Sequence, residues 1–188
     1  MDVMQAILGR RSVRKFKPVP VSDDVLNTVL EAARQAPSWA NTQVWRFILV
    51  TDPQLKEKLA ACFIRRDPTR ENRGATAVLT APLTIVACAE TKKSGFSLAG
   101  APQTARGDWA MYDVALAMQN LVLEAYALGL GTVHIGLFDH KKVEELLGIP
   151  ENMEVVSFTP LGYPDESPEP RPRKPLSEII FRNRYGSH

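Results

Sequence analysis

The stretch from Asp108 to Leu128, closed by Gly129-Leu130-Gly131, carries the strongest helix signal in the chain. Its middle, Val114-Ala115-Leu116-Ala117-Met118-Gln119-Asn120-Leu121-Val122-Leu123-Glu124, is the longest run suited to burial. Polar residues interrupt that run too often for a membrane span. The helix therefore needs other elements of the same chain to cover it. At 188 residues the chain can build one domain with a sizeable core, or two small ones, and nothing in its length demands partition.

The other periodicities supply the cover. Asp2 can cap a short helix through Ile7 and Leu8, and Ser22 a second with Val25, Leu26, Val29, Leu30 and Ala33 on one face up to Pro37. Trp45 to Val50 reads as a strand, after which Asp52-Pro53 starts a helix with Leu55 and Leu59 inward. Asp67 to Gly74 is charged and polar and reads as surface, whereas Pro82 to Cys88 reads as a core strand. Lys92 to Gly107 reads as a loop open to movement. Beyond the long helix, Thr132 to Gly136 is a strand candidate, and Asp139 caps a helix carrying Val143, Leu146 and Leu147 up to Gly148. Glu154 to Thr159 is another strand. The segment from Pro168 to Pro175 is too proline-rich for a central strand, while Leu176 to Phe181 is expected to pair as an edge strand. Strands and helices do not alternate strictly, so the residues support a mixed α+β domain.

Arg and Lys total 23 against 21 Asp and Glu, and a formal net charge of +2 gives no global argument for nucleic acid. The positive charge gathers instead in Gly9-Arg10-Arg11-Ser12-Val13-Arg14-Lys15-Phe16 and in Arg171-Pro172-Arg173-Lys174. Cys62 and Cys88 lie in apolar contexts without metal-ligand spacing, which suits buried thiols in a reducing compartment. No charged head and apolar core opens the chain as in a signal peptide. A soluble cytoplasmic protein is the expectation.

Neither a Gly-x-Gly-x-x-Gly turn nor a Gly-Lys-Ser/Thr loop is present, so any bound phosphate must be held by side chains. Guanidinium forks and a serine hydroxyl suit phosphate oxygens. In an extended chain Arg10, Ser12 and Arg14 share one side, with Arg11 and Val13 on the other. Ordinary solvated charge is the competing reading. Arg171 and Arg173 alternate in the same way. Asn41 and Gln43, in Pro37-Ser38-Trp39-Ala40-Asn41-Thr42-Gln43, can read the edge of a planar heterocycle, or Ser38 and Asn41 can simply form turns. Trp45 is expected in the core. His134 has no convergent metal ligands, and His140 and His188 are expected to be exposed. Ser38 and Ser157 lack a nucleophile-elbow context. Asp108 and Asp113 read as capping or solvated residues rather than acid catalysts.

Together these pieces resemble the FMN-dependent nitroreductase family, in its short NAD(P)H-dependent members, over nearly the whole chain. The opening looks like that family's Arg-x-Ser-x-Arg/Lys segment and APSWANTQVW like its Pro-Ser-x-x-Asn-x-Gln-Pro-Trp loop. NLVLEAYALGLGTVHIG resembles the segment beside the flavin ring, and the RPRK tail its closing phosphate contacts. The resemblance implies one nitroreductase-like FMN-binding domain over residues 1–188, with a central, mainly antiparallel sheet flanked by helices. It also implies an intertwined homodimer with FMN at the interface and an extended dimerisation tail, 165–188, reaching the partner subunit. Cofactor contacts would fall on Arg10, Arg11, Ser12, Arg14, Pro37, Ser38, Asn41, Ile135, Gly136, Arg171 and Arg173, with the Pro37 to Asn41 loop coming from the other subunit. The implied reaction passes hydride from NAD(P)H through the flavin to a small-molecule electron acceptor such as a nitroaromatic or quinone, by ping-pong exchange. No catalytic side chain, metal, nucleic acid or membrane is called for.

The sequence departs from the family pattern in places. Val44 replaces the proline after the glutamine, Trp39 stands where a smaller residue is common and is a candidate pocket wall, and His134 stands where aromatic or small apolar residues often occur. The chain is also shorter in its centre than the larger members. Flavin destruction, dehalogenation or dehydrogenation on the same fold is the alternative reading, and a nucleic-acid or regulatory binding module is the third.

Overall fold

A computed structural model describes residues 1–187, so His188 lies outside the described residues. In chain order the elements are α1 (Val3–Gly9), α2 (Asp23–Arg34), β1 (Trp45–Val50), α3 (Pro53–Ala61), α4 (Arg73–Thr80), β2 (Leu83–Glu90), α5 (Ala110–Ala127), β3 (Gly131–Thr132), α6 (His140–Leu147), β4 (Met153–Gly162) and α7 (Leu176–Ile179). The strands form one sheet in the order β1-β2-β4-β3, every neighbouring pair antiparallel. The expected α+β fold with a central antiparallel sheet flanked by helices is what forms.

Strand β2 shows why both faces are covered. Successive side chains point to opposite faces: Leu83, Ile85, Ala87 and Ala89 join α2 and α5 in one apolar cluster. Val86 and Cys88 join α3, α4 and α6 in a second. A strand buried on both sides reads as a continuous apolar run, and Leu83 to Ala89 are all buried, with only the final Glu90 half-buried. Trp45 sits in the first cluster, as expected. Helix α5 is the centre of that cluster through Ala110, Val114, Ala117, Leu121 and Ala125. It stops as its Gly129-Leu130-Gly131 ending implies: Gly129 takes φ +80°, and Leu130 N donates back to Ala125 O at 2.8 Å and Gly129 N to Tyr126 O at 3.0 Å.

The caps at Asp2, Ser22, Asp52 and Asp139 all form. Three expectations are corrected. The segment from Thr132 to Gly136 is not a continuous strand: only Gly131–Thr132 pairs with β4, after which a single bridge joins Ile135 to Phe158. Val133 turns into a third apolar cluster with Val13 and Phe16, which pulls the chain off the sheet edge. Leu176 to Phe181 is not an edge strand but contains the short helix α7, because Glu178 N and Ile180 N find acceptors in Pro175 O and Leu176 O and no strand of this chain lies beside them. Helix α4 was not expected; Asn72 caps it through Ala75 N, just after the polar stretch. The segment 92–107 lacks helix and strand as expected, but its base is tied down, since Ser94 is fully buried.

Cys62 and Cys88 are free and buried, and burial pushes both thiols up, Cys88 to about 11. Among the described residues no helix is long and apolar enough to cross a membrane, and no cluster of His, Cys, Asp and Glu is arranged to hold a metal ion.

Candidate functional site

Helix α1 ends against α5. A Cβ on Gly9 would lie 2.1 Å from Tyr126 Oη, so only glycine permits this approach. Arg10 then leaves the helix with φ −57° and ψ 132°, and the chain runs extended along the sheet edge. Ser12 forms a parallel bridge with Thr132, Val13 N donates to Thr132 O at 2.9 Å, and Asp165 N donates to Lys15 O at 2.9 Å. Val13 is buried, so alternation leaves Arg10, Ser12 and Arg14 on the other side, each partly buried. Arg11 is set apart: its guanidinium donates to Leu8 O at 2.7 Å and Arg10 O at 2.9 Å, folding over the last turn of α1.

The tail returns to this clamp within the same chain. Arg10 is held below the ordinary arginine value first by burial, then by Arg173 and Arg11. Arg14 is lowered by burial and by Arg73 and Arg171, with Glu166 opposing. Guanidinium does not lose its proton in a protein, so these shifts record first the loss of water around Arg10 and Arg14 and then repulsion from neighbouring cations, which Glu166 offsets in part at Arg14. Glu166 accepts from Arg14 N, which pins the start of the tail. Among the described residues, the ion pairs within 4.0 Å involve none of Arg10, Arg14, Arg73, Arg171 or Arg173. Such a set fits a phosphate group. Arg73, in the first turn of α4, is the member that the sequence did not reveal; it lies in a stretch that looks like plain surface charge.

The amide loop is built differently. Ser38 Oγ accepts from Gln43 N at 3.0 Å, and Ala40, Asn41 and Gln43 all take positive φ, at 43°, 57° and 47°. Pro37 and Asn41 are exposed. The Trp39 ring rests on Trp109, with centroids 5.6 Å apart and planes tilted by 38°. Trp39 N donates to both oxygens of Asp113, at 3.1 and 3.2 Å. That anchor lies in the first turn of α5, while the arginine clamp meets α5 at Tyr126. At 1.5 Å per residue the two anchors are about 20 Å apart along the helix. The chain brings together Arg10, Ser12, Arg14, Arg171 and Arg173, and leaves Pro37, Ser38 and Asn41 at the far end of α5.

The backbone at Ile135 and Gly136 divides in the same spirit. Ile135 N donates to Phe158 O and Phe158 N to Ile135 O, both at 2.9 Å, so Ile135 has no main-chain donor to offer a ligand. Gly136 is exposed, and a Cβ there would meet open space. His134 Nδ1 lies 2.9 Å from the Oγ1 of the buried Thr159; the residue keeps one side exposed to solvent, and the partial loss of water around its ring, then Arg10, hold it below the ordinary histidine value. It is neutral at pH 7.

Comparison with known proteins follows the same lines. The model of the nitroreductase family matches residues 7–163, which takes in the clamp, the amide loop and Gly136. An NADH dehydrogenase of Thermus thermophilus is 31% identical over 205 residues, covering 96% of each chain. An NADPH-flavin oxidoreductase of Vibrio harveyi is 32% identical over 190 residues, covering 98% of this chain and 75% of the relative. The crystal structure of a nitroreductase family protein from Clostridium novyi NT superposes with a TM-score of 0.79 at 32% identity, covering 100% of this chain and 96% of that one. The chain belongs to the nitroreductase family, whose enzymes are FMN-binding oxidoreductases that use NAD(P)H.

Proposed function

We propose that this chain is an NAD(P)H-dependent FMN oxidoreductase that reduces nitroaromatics, quinones or related oxidised acceptors by ping-pong exchange, working as a homodimer with FMN at the interface. The observation that carries this reading is the gathering of guanidinium groups about the chain's basic turn, Arg173 beside Arg10 and Arg73 and Arg171 beside Arg14, with none of them in an ion pair within 4.0 Å among the described residues. FMN, when bound, supplies the acceptance of hydride from reduced nicotinamide and its delivery to the acceptor. The chain's own residues bind and orient. Arg10, Ser12 and Arg14 hold the phosphate, Arg171 and Arg173 close over it, and the open Gly136 N–H donates to the ring edge. Ile135 serves by fixing the turn that presents Gly136. Arg11 contributes positive potential from the side. The loop Pro37–Asn41 of a second copy completes the ring site, because this chain's own loop sits too far along α5 to serve its own clamp. Donor and acceptor take turns in one pocket, consistent with the lack of a second nucleotide motif. The dimer reading extends to the tail from 165 onward, where Leu176, Ile179, Ile180 and Tyr185 are exposed and suited to cover by a second copy. Buried, unpaired thiols suit a cytoplasmic setting.

The test is the visible absorption spectrum of the purified, FMN-reconstituted protein before and after anaerobic NADH or NADPH. Flavin bands that bleach, and return on adding a nitroaromatic or quinone, are the expected result. Protein that stays colourless after reconstitution overturns the reading. Oxygen-dependent loss of the flavin itself would replace it with a flavin-destroying reaction on the same fold.

A further inference from the structure

We propose that Asp113 is a positioning residue for the flavin site, a buried carboxylate that ties the Trp39–Thr42 loop to the segment 92–107 and so sets how firmly FMN is held; this rests on the reading of Pro37–Asn41 as a flavin-contacting loop. Asp113 is 2% exposed. Its oxygens accept from Trp39 N at 3.1 and 3.2 Å, from Ser94 Oγ at 2.7 Å and, at the long limit, from Thr42 Oγ1 at 3.4 Å. All of these donors are neutral and all lie outside α5. Helix capping does not account for the residue, since Asp108 Oδ1 already accepts from Ala110 N at 2.8 Å. Nor is it solvated.

The loop needs such an anchor. Positive φ at Ala40, Asn41 and Gln43 is a conformation that side-chain-bearing residues avoid, and it persists only where surrounding contacts impose it. At its Trp39 end the loop is held from outside by the Asp113 carboxylate and the Trp109 ring, one turn apart on α5, and at its Gln43 end by Arg46 Nη1, which donates to Gln43 O at 3.0 Å. Asp113 and Trp109 also grip the segment 92–107, because Trp109 N donates to Ser94 O at 3.0 Å and Trp109 Nε1 to Thr104 Oγ1 at 2.9 Å. Ser94, fully buried, is thus the point at which this segment touches the carboxylate that orders the flavin loop. A residue with no place at the flavin gains influence over it through one shared hydrogen-bond acceptor.

The variants Asp113→Ala, Asp113→Asn, Ser94→Ala and Asp113→Ala/Ser94→Ala, each with FMN affinity and thermal midpoint measured on the full chain, test this. Asp113→Ala leaves Trp39 N and Ser94 Oγ without an acceptor and is expected to weaken FMN by about tenfold or more. Asp113→Asn also loses the charge, but its amide can accept from Trp39 N and donate to Ser94 Oγ, so it should stay near wild type. Ser94→Ala should weaken FMN several-fold, and the double variant should bind no more weakly than Asp113→Ala. A carboxylate that only stabilises the fold would lower the midpoint while leaving FMN affinity intact well below it, and that result overturns the proposal. So does equal loss in Asp113→Ala and Asp113→Asn, or additive loss in the double variant. If Asp113→Ala does not fold, Ser94→Ala decides: unchanged FMN affinity overturns the proposal and weakened affinity upholds it. Failure of the wild type to bind FMN would instead sink the function reading, a result that these variants do not resemble.

Discussion

Replacing Arg14 or Arg173 with alanine removes one guanidinium from a group that Glu166 offsets only in part, at Arg14. A charge-assisted hydrogen bond contributes about 1.5–3 kcal/mol, so FMN affinity should fall roughly tenfold to a hundredfold, as read by fluorescence titration, with little change in thermal midpoint. His134 gives a second expectation at this scale. Its folded-state pKa lies below its ordinary 6.5, so between the two values the unfolded chain binds more protons than the folded one. The stability due to the neutral ring is complete above about pH 6.5, falls as the pH drops through the window below, and levels off beneath the folded-state value. Denaturant unfolding across pH 5 to 8 should show this slope in the wild type and lose it in His134→Gln. The clamp was legible because alternation around an inward Val13 is a local property, written in consecutive residues. Arg73 was not, because only tertiary closure of α4 brings it to Arg14. The loss of Ile135 as a donor was equally hidden, since its partner, Phe158, is remote in sequence.

Among the elements, β2 holds an anomaly. Thr84 is fully buried in this central strand, and its Oγ1 has no hydrogen-bond partner. Valine keeps the branched shape and removes the orphaned hydroxyl, so Thr84→Val should raise stability by about 1 kcal/mol in denaturant titration. Helices with a cap residue, a periodic face and a breaker beyond it, such as α2 and α6, were readable at both ends, whereas α3 was readable only at its Asp52-Pro53 start. Helix α4 was not, because its short apolar segment, Ala75 to Leu79, runs straight into Pro82 and the apolar strand behind it. The tail shows the converse limit: the apolar pattern of Leu176 to Phe181 suits a strand, but a strand needs a neighbour, and the chain alone offers none. Local bonds beneath Pro175 close a helical turn instead.

For the molecule as a whole, the tail from Glu166 onward carries Arg171, Arg173 and four large exposed apolar side chains. A chain ending at Asp165 should therefore lose both tight FMN binding and the dimer, as seen by size-exclusion chromatography with light scattering, while keeping the two sheet-covering clusters, which do not include the tail. The antiparallel sheet between helices was legible from periodicity, and the family resemblance already implied that the Pro37–Asn41 loop comes from the other subunit; which end of α5 each segment meets was not legible, because it depends on tertiary closure. The proposed division has a consequence for inheritance of activity between subunits. A copy with Arg14→Ala still offers a sound amide loop, and a copy with Asn41→Ala still offers a sound clamp, so each homodimer has two weakened sites but a mixed dimer contains one site assembled wholly from intact parts. At an FMN concentration that fills wild-type sites but leaves those of the variants empty, unfolding and remixing the two proteins in equal amounts should restore about a quarter of wild-type turnover, because half of the dimers are mixed and each has one working site of two. No recovery on mixing would mean that each subunit is sufficient unto itself.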